Sequence, residues 1–204
     1  MVVRHFINFS ELMFEQIEKY IGSHISLTDK EWLIVKNCLT PKRIAKQQFL
    51  LREGEVCKNV AFINRGCLRY FYTKDEQDVT GYLFFENSFI TDYYSFLTQL
   101  PATQNIDAIE VSDLLLLSYG NMQILYEQIP AWERFGRMVA ESLFICAQQR
   151  SASLLFDSAE TRYLKLLEER PAVIERVPQH IIASYLGITP ETLSRIKGRR
   201  IKSP

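Results

Sequence analysis

The chain has 204 residues, of which 47% are hydrophobic, and 24 Lys and Arg residues balance 24 Asp and Glu residues. This length suits one large or two small domains, and the composition excludes a disordered, collagen-like or uniformly basic protein. No apolar run approaches the ~18 residues of a membrane span, so we expect a cytoplasmic protein without membrane contact. The spacing of Cys38, Cys57, Cys67 and Cys146 fits no metal site, so we expect reduced thiols and no metal.

Two helices are predicted at the N-terminal end of the chain. The first covers residues 5–21, where apolar residues recur at spacings of three and four, as in an amphipathic helix. These residues are Phe6, Phe9, Leu12, Met13, Ile17 and Tyr20. Thr28 followed by Glu31 is a capping-box pattern, which predicts a second helix running to about Leu39.

The segment from Lys42 to about Ser118 has the character of antiparallel β structure. Short runs rich in Ile, Phe, Tyr, Val and Leu alternate with turn signals about every ten residues. This pattern favours a sandwich, roll or barrel over βαβ units, and the segment is long enough for eight short strands.

A long helix is predicted from Ala131 to about Phe156, a stretch without proline. Its apolar surface is wider than one core contact needs, so we expect a second copy of the helix as its partner in a homodimer. The residues assigned to that dimer face are Phe135, Met138, Ser142, Ile145, Gln149 and Ala152. Asp157 with Glu160 reads as a new N-cap and N3 acid, which predicts a further helix to Glu169.

The C-terminal residues 178–197 match a helix-turn-helix in a chain end that carries five basic side chains against one acidic. Gly187 can adopt the left-handed conformation that ends the first helix, and Ile188 fills the corner. Thr189 is a suitable N-cap and Pro190 a suitable first residue for the second helix. An ordinary corner between two helices is the simpler alternative.

The outer face of the second helix suits DNA. Arginine can bind guanine in the major groove and glutamate can accept from cytosine. The candidate base-reading residues are Glu191, Thr192, Ser194, Arg195 and Arg199. Thr189, Lys197 and Arg200 are better placed for phosphates.

The order of helix, β-roll, long helix and helix-turn-helix resembles the Crp/Fnr superfamily of bacterial transcription regulators. Leu50 to Glu55, Asn64 to Gly66 and Thr189 to Ile196 resemble two turns of that family's roll and its recognition helix. The resemblance implies an α+β fold and base-reading roles for Glu191 and Arg195. It also implies three parts: a cyclic-nucleotide-binding-like sensor domain over 1–130, a dimerisation helix over 131–156 and a DNA-binding domain over 157–204. Pro190 stands where the family usually has an arginine.

The roll departs from the family's cyclic-nucleotide cassette. Thr91-Asp92 and Ala102-Thr103 stand at the cassette positions, and the arginine that pairs with the cyclic phosphate is missing. Losing that charge-assisted contact costs about 1.5–3 kcal/mol, so we do not expect cyclic AMP to bind in the family's manner. Asp92, Thr103, Gln104 and Asn105 could instead bind an unknown, less anionic effector, or belong to loops without a ligand.

The sequence therefore predicts a homodimeric DNA-binding transcription regulator that binds a near-palindromic operator. The regulator would act on the transcription machinery. One alternative is a ligand-binding or interaction module whose DNA-binding function has degenerated. Another is an enzyme built on the roll, because cupin-type rolls hold metals with histidine and carboxylate clusters. No histidine lies between Lys42 and Ser118 and no catalytic or phosphate-loop signature is present, so we expect a protein that is not an enzyme.

Overall fold

The computed structural model describes residues 9–201, with side chains from residue 13 to residue 199. The fold is α+β, as the sequence predicts, and has two compact units. The first contains the residues up to 68 together with 84–140, and the second contains residues 69–83 and the chain from 141 onward. The predicted three-part division at residues 130 and 156 remains a prediction.

The N-terminal helices are α1 (Phe9–Gly22) and α2 (Asp29–Cys38). The predicted capping box starts α2: Glu31 N donates to Thr28 Oγ1 at 3.3 Å and Thr28 N donates to the Glu31 carboxylate at 2.8 Å. Of the apolar stripe on α1, Ile17 is buried in the core of the first unit, and Phe6 lies outside the described residues.

Eight short strands lie between α2 and the later helices, as predicted. They are β1 (Leu39–Ile44), β2 (Phe49–Leu51), β3 (Asn59–Arg65), β4 (Leu68–Lys74), β5 (Gln77–Phe84), β6 (Phe89–Ile90), β7 (Asn105–Ala108) and β8 (Ser112–Ser118). They form two four-stranded sheets of orders β1-β8-β3-β6 and β2-β7-β4-β5. The sequence missed α3 (Tyr93–Thr98), because this short helix lies within an otherwise strand-like stretch.

The centre of the first sheet supplies much of the core of the first unit. β3 and β8 pair antiparallel with Phe62 opposite Leu115, and both side chains are fully buried. Such strands read as continuous apolar runs because both faces are covered. Helix α4 (Tyr119–Gln128) follows β8 and begins at the N-cap Ser118.

The long helix α5 (Pro130–Phe156) has 27 residues, in agreement with the sequence prediction. Phe135, which the sequence analysis assigns to the dimer face, is instead 3% exposed and packs near Trp132 in the core of the first unit. This assignment needs correction, because an aromatic ring at the start of α5 fills the core rather than an outer face.

Four short helices complete the second unit: α6 (Ala159–Glu169), α7 (Pro171–Arg176), α8 (Gln179–Tyr185) and α9 (Pro190–Ile201). The N-cap of α6 is Ser158, whose Oγ accepts from Thr161 N at 3.1 Å, so the sequence-based assignment of Asp157 is wrong by one residue. Both residue types favour this position, and the Asp157 carboxylate instead pairs with Lys165 at 2.9 Å. No helix in the described part of the chain is long and apolar enough to cross a membrane.

Candidate nucleic-acid interface

The turn between α8 and α9 has the features that the sequence predicts. Gly187 has a φ of 67°, in the left-handed region, and directs the chain away from α8. Ile188 N donates to the Ala183 carbonyl at 3.0 Å, which closes the turn. Ala183 and Leu193 are buried, so the two helices share an apolar contact beneath the turn.

Thr189 starts α9 as an N-cap, since its Oγ1 accepts from Thr192 N at 3.3 Å. Hydrogen bonds from the Glu191 backbone N–H and from the Thr189 side chain lower the pKa of Glu191. The Glu191 carboxylate is therefore kept ionised in the first turn of the helix, where the helix dipole also favours negative charge.

One exposed face of α9 brings most of the predicted DNA-binding residues together. Glu191, Ser194, Arg195 and Arg199 are exposed, and Thr192 is half-buried with its Oγ1 3.5 Å from Arg195 Nη2. The face is thus polar and hydrogen-bonding along the helix, while the opposite side holds the buried Leu193. A helix of this kind can present donors and acceptors to base edges.

Lys197 and Arg200 are the remaining residues of α9 that the sequence predicts to contact DNA phosphates. Lys197 is half-buried, and its Nζ donates to Gln179 Oε1 at 2.9 Å, which joins α9 to the first residue of α8. Arg200 lies on α9, and its side chain falls outside the described range. Lys197 therefore has a contact within the helix-turn-helix as well as its predicted role at phosphates.

Sequence reasoning missed the arginines that hold the end of α8. Arg150 on α5 donates to the carbonyl of Tyr185, and Arg162 Nε on α6 donates to the carbonyl of Leu186 at 2.9 Å. Cations stabilise the carbonyl end of a helix because that end carries partial negative charge. Their sequence positions give no such signal, because the contacts join residues that are 35 and 24 positions apart.

The four predicted ligand residues of the roll have separate structural positions. Asp92 is buried and caps α3, with Oδ1 3.0 Å from Ser95 N, while Asn105 Oδ1 accepts from Glu53 N at 3.0 Å. Gln104 is buried and Thr103 is exposed. Asp92 and Asn105 thus each satisfy a backbone N–H of the first unit, a role that a polar residue in a turn often has.

A cavity of about 500 Å³ lies in the roll beside these residues, and none of the four predicted ligand residues lines it. Its polar lining consists of Lys42, Glu55, Cys57, Lys58, Asn59 and Thr91. The volume is in the range of small-molecule sites. Thr91 is the sequence neighbour of the predicted residue Asp92, and the prediction of a ligand site in the roll remains a prediction.

The C-terminal half of α5 exposes large apolar side chains. Leu155 and Phe156 are 77% and 84% exposed, and Phe144 and Ile145 are also exposed. Ser142, Gln149 and Ala152 of the predicted dimer face are exposed, and Met138 is half-buried. Such a stripe on one helix is characteristic of a surface that another chain covers.

Solved structures share this fold. FixK2 from Bradyrhizobium japonicum superposes with a TM-score of 0.69 at 16% identity, covering 79% of this chain and 83% of FixK2. CLP from Xanthomonas campestris gives 0.68 at 14% identity over 84% and 91% of the two chains. A CooA mutant from Carboxydothermus hydrogenoformans gives 0.65 at 19% identity over 88% of each chain.

These similarities, together with that to a regulator of the crp/fnr family from Eubacterium rectale at a TM-score of 0.67, establish a Crp/Fnr-like fold, in agreement with the resemblance seen in the sequence. Comparison of the sequence with family models and with curated proteins finds no significant match. The relationship is therefore visible in the fold and not in overall sequence similarity. Fold alone does not fix function, which has to be argued from the residues.

Proposed function

We propose that this chain is a sequence-specific DNA-binding transcription regulator that acts as a homodimer, with α9 as its recognition helix. The observation that carries the proposal is the exposed face of Glu191, Ser194, Arg195 and Arg199 on a helix with a capped N-terminus. Arginine binds guanine bidentately and glutamate accepts from cytosine, so this face can distinguish base pairs.

The fold neighbours support the same role. CLP of Xanthomonas campestris is a c-di-GMP responsive global regulator, and its chain is covered over 91% of its length. A regulator needs both a DNA-reading surface and a way to present two copies of it. The α9 face would supply the first, and α5 would supply the second.

The exposed apolar side chains of α5 support the homodimer. Ile145, Ala152 and Phe156 recur at spacings of seven and four, which places them along one stripe of the helix. A second copy of α5 would remove this stripe from water. Two α9 helices in successive major grooves would then require half-sites about 34 Å apart and a near-palindromic operator.

The cavity in the roll supports control by a small molecule. Lys42 and Lys58 give the cavity cationic groups. An anionic effector would therefore have partners there, although this chain lacks the family's cyclic-nucleotide arginine. The polar groups of Thr91 and Asn59 would set its orientation. A degenerate helix-turn-helix, with only this binding function left, is the second candidate, and the cavity is what favours it.

Selection of bound fragments from random double-stranded DNA tests the proposal. The wild-type chain is compared with Arg195→Ala and with Lys30→Ala, which removes an exposed cation from α2. We expect a two-fold-symmetric motif for the wild type and for Lys30→Ala. Arg195→Ala should lose preference at one position per half-site, at a cost of about 1–3 kcal/mol.

The selection is repeated in the presence of a metabolite extract, because an effector can be required for DNA binding. A motif in either condition supports a regulator. Enrichment of no motif in both conditions contradicts DNA recognition and favours the degenerate module. A motif that is identical for the wild type and Arg195→Ala refutes the assigned role of Arg195.

A further inference from the structure

A second cavity, of about 580 Å³, lies wholly within the second unit. Its volume is within the range of small-molecule sites. Four cationic and two acidic side chains line it, which leaves two positive charges in excess: Arg150, Arg162, Lys165 and Arg170 against Asp157 and Glu169. Such an excess in a partly enclosed space attracts anions.

Two of the arginines have neutral hydrogen-bond acceptors. Arg150 and Arg162 donate to the Tyr185 and Leu186 carbonyls at the end of α8. Carbonyl dipoles orient a guanidinium group, but they do not cancel its unit charge. The two guanidinium groups are thus fixed in place with their net charge still available to a ligand.

Arg150 is partly desolvated by burial. Its Nε is buried and has no hydrogen-bond partner among the described residues, and burial lowers the pKa of its guanidinium. The guanidinium also stacks on the Tyr185 ring at 4.0 Å. A buried charge with an unused donor is costly, and a bound anion would offset that cost.

The cavity also has an aromatic wall. The rings of Tyr82 and Tyr185 lie 6.1 Å apart at 77°, edge to face, and Arg170 lies over the Tyr82 ring at 4.7 Å. The ring surface that the arginines leave uncovered would bury an apolar part of a ligand. Guanidinium groups bind phosphate bidentately. The arginines therefore suit the phosphate of a nucleotide, and the tyrosines suit its base.

We propose that this cavity binds a phosphorylated small molecule of about nucleotide size. The phosphate would contact Arg150, Arg162 and Arg170, and the planar part would pack against Tyr82 and Tyr185. The excess of two positive charges matches a phosphate monoester dianion. The proposal concerns ligand binding alone and stands whether or not α9 binds DNA.

Cys146 provides a direct test, because it lines the cavity and is exposed, whereas Cys38, Cys57 and Cys67 are buried. The rate at which neutral N-ethylmaleimide labels Cys146 is followed by mass spectrometry. Inorganic pyrophosphate, adenosine monophosphate and adenosine are the probes. We expect both phosphates at about 10 mM to slow labelling at least about threefold, with adenosine weaker. Labelling that no phosphate slows, or that adenosine slows equally, overturns the proposal.

Two glutamine variants test the charge of the cavity. Gln149→Glu adds a carboxylate to its wall and should raise the half-protecting concentration of pyrophosphate by about tenfold. Gln148→Glu makes the same change at the preceding residue of α5, which does not line the cavity, and should leave protection unchanged. Equal protection in both variants overturns the proposal.

A third variant keeps the test valid if α5 assembly is disturbed. Gln149 also belongs to the predicted dimer face, so the sedimentation of both variants is compared with that of the wild type. Lys165→Gln removes a cation from the cavity by a substitution on α6, outside the predicted dimer face, and should weaken protection as well. If protection is unchanged in Lys165→Gln and also in a normally assembled Gln149→Glu, the proposal is overturned. The arginines of the cavity then have a purely structural role.

Discussion

Thr80 and Ser184 are 104 positions apart in the sequence and are joined by a hydrogen bond in the second unit. Ser184 Oγ accepts from Thr80 N at 2.9 Å and donates to the Asp78 carbonyl at 2.8 Å. Thr80 is 2% exposed, so water cannot easily replace the serine as its partner. One hydroxyl of α8 thus holds the hairpin of residues 69–83 at two backbone atoms.

Ser184→Ala should therefore destabilise the second unit. It leaves the buried Thr80 N–H without its partner, at a cost of about 1–3 kcal/mol. Urea denaturation gives the free energy of unfolding, and amide exchange at Thr80 reports the local effect. Ser151→Ala, at an exposed position of α5, is the matched control and should change the stability little. Equal unfolding free energies for the two variants would contradict this role of Ser184.

Two glycines of the helix-turn-helix should respond to alanine with opposite signs. Gly187 has a positive φ, and a Cβ there would have no contact closer than 3.5 Å, so the cost is backbone strain of about 1–2 kcal/mol. Gly198 lies inside α9 in open space, so Gly198→Ala should stabilise by up to about 1 kcal/mol. Thermal unfolding of both variants measures the difference. Stabilisation by Gly187→Ala would refute the left-handed turn.

The dimer prediction depends on the exposed stripe of α5. Ile145→Asp places a charge in the proposed interface and should shift the chain to monomer at micromolar concentration. Leu33→Asp is the matched control, because Leu33 on α2 is 59% exposed against 55% for Ile145. Sedimentation velocity distinguishes the two states. A wild-type chain that is already monomeric, in the presence of operator DNA as well, would rule out the homodimer.

Alkaline pH should weaken the second unit through Tyr70. Burial raises the pKa of Tyr70 to about 12, Tyr72, Tyr185 and Tyr82 add to this effect, and Arg150 opposes it. Unfolded tyrosine titrates near 10, so the stabilisation is complete below pH 10 and is lost as the pH rises towards 12, by at most about 1.4 kcal/mol per pH unit.

Urea denaturation across this pH range measures the slope. Tyr70→Phe removes the ionising group and should flatten the slope. Tyr94→Phe, at an exposed tyrosine of α3, should leave it as in the wild type. Identical slopes in all three proteins would mean that Tyr70 does not ionise differently on unfolding.

Lys197 should contribute to DNA affinity without sequence preference. Lys197→Gln removes a cation that we propose contacts phosphate, so it should weaken binding to all sequences alike and reduce the salt slope of the binding constant by about one. Titrations of a selected and a scrambled duplex at several salt concentrations measure this. Lys30→Gln serves as the charge control. A loss confined to the selected duplex would assign Lys197 to base recognition instead.

Local sequence signals predicted the elements that depend on local chemistry. The Thr28 and Glu31 capping box, the left-handed Gly187 and the Thr189 cap each satisfy backbone groups within a few residues, so the pattern is sufficient to find them. The sequence places the cap of α6 one residue too early because Asp157 and Ser158 are both good caps, and the contacts of Asp157 with Lys165 and Ser153 become visible only in the fold.

Long-range contacts could not be predicted in this way. Asp92 is a ligand candidate in the sequence because it stands at a cassette position, and its helix α3 is too short to show the helical period that would mark Asp92 as an N-cap. Arg150 and Ser184 act on backbone atoms that are far away in the sequence, and no local pattern reports such a partner. The exposed face of α9 was predictable because the helical period alone orders its side chains.

The hairpin of residues 69–83 belongs to the same unit as the chain from 141 onward, so that unit is encoded in two separate pieces. A chimaera that exchanges only a contiguous C-terminal segment with a relative would pair foreign helices with the resident hairpin. The Asp78 and Leu83 carbonyls of the resident hairpin would then lose their Ser184 and Arg170 donors. Transplantation of α8 and α9 with their contacts intact should therefore need both pieces to be moved together, and mutations that alter the hairpin should be compensated on α8.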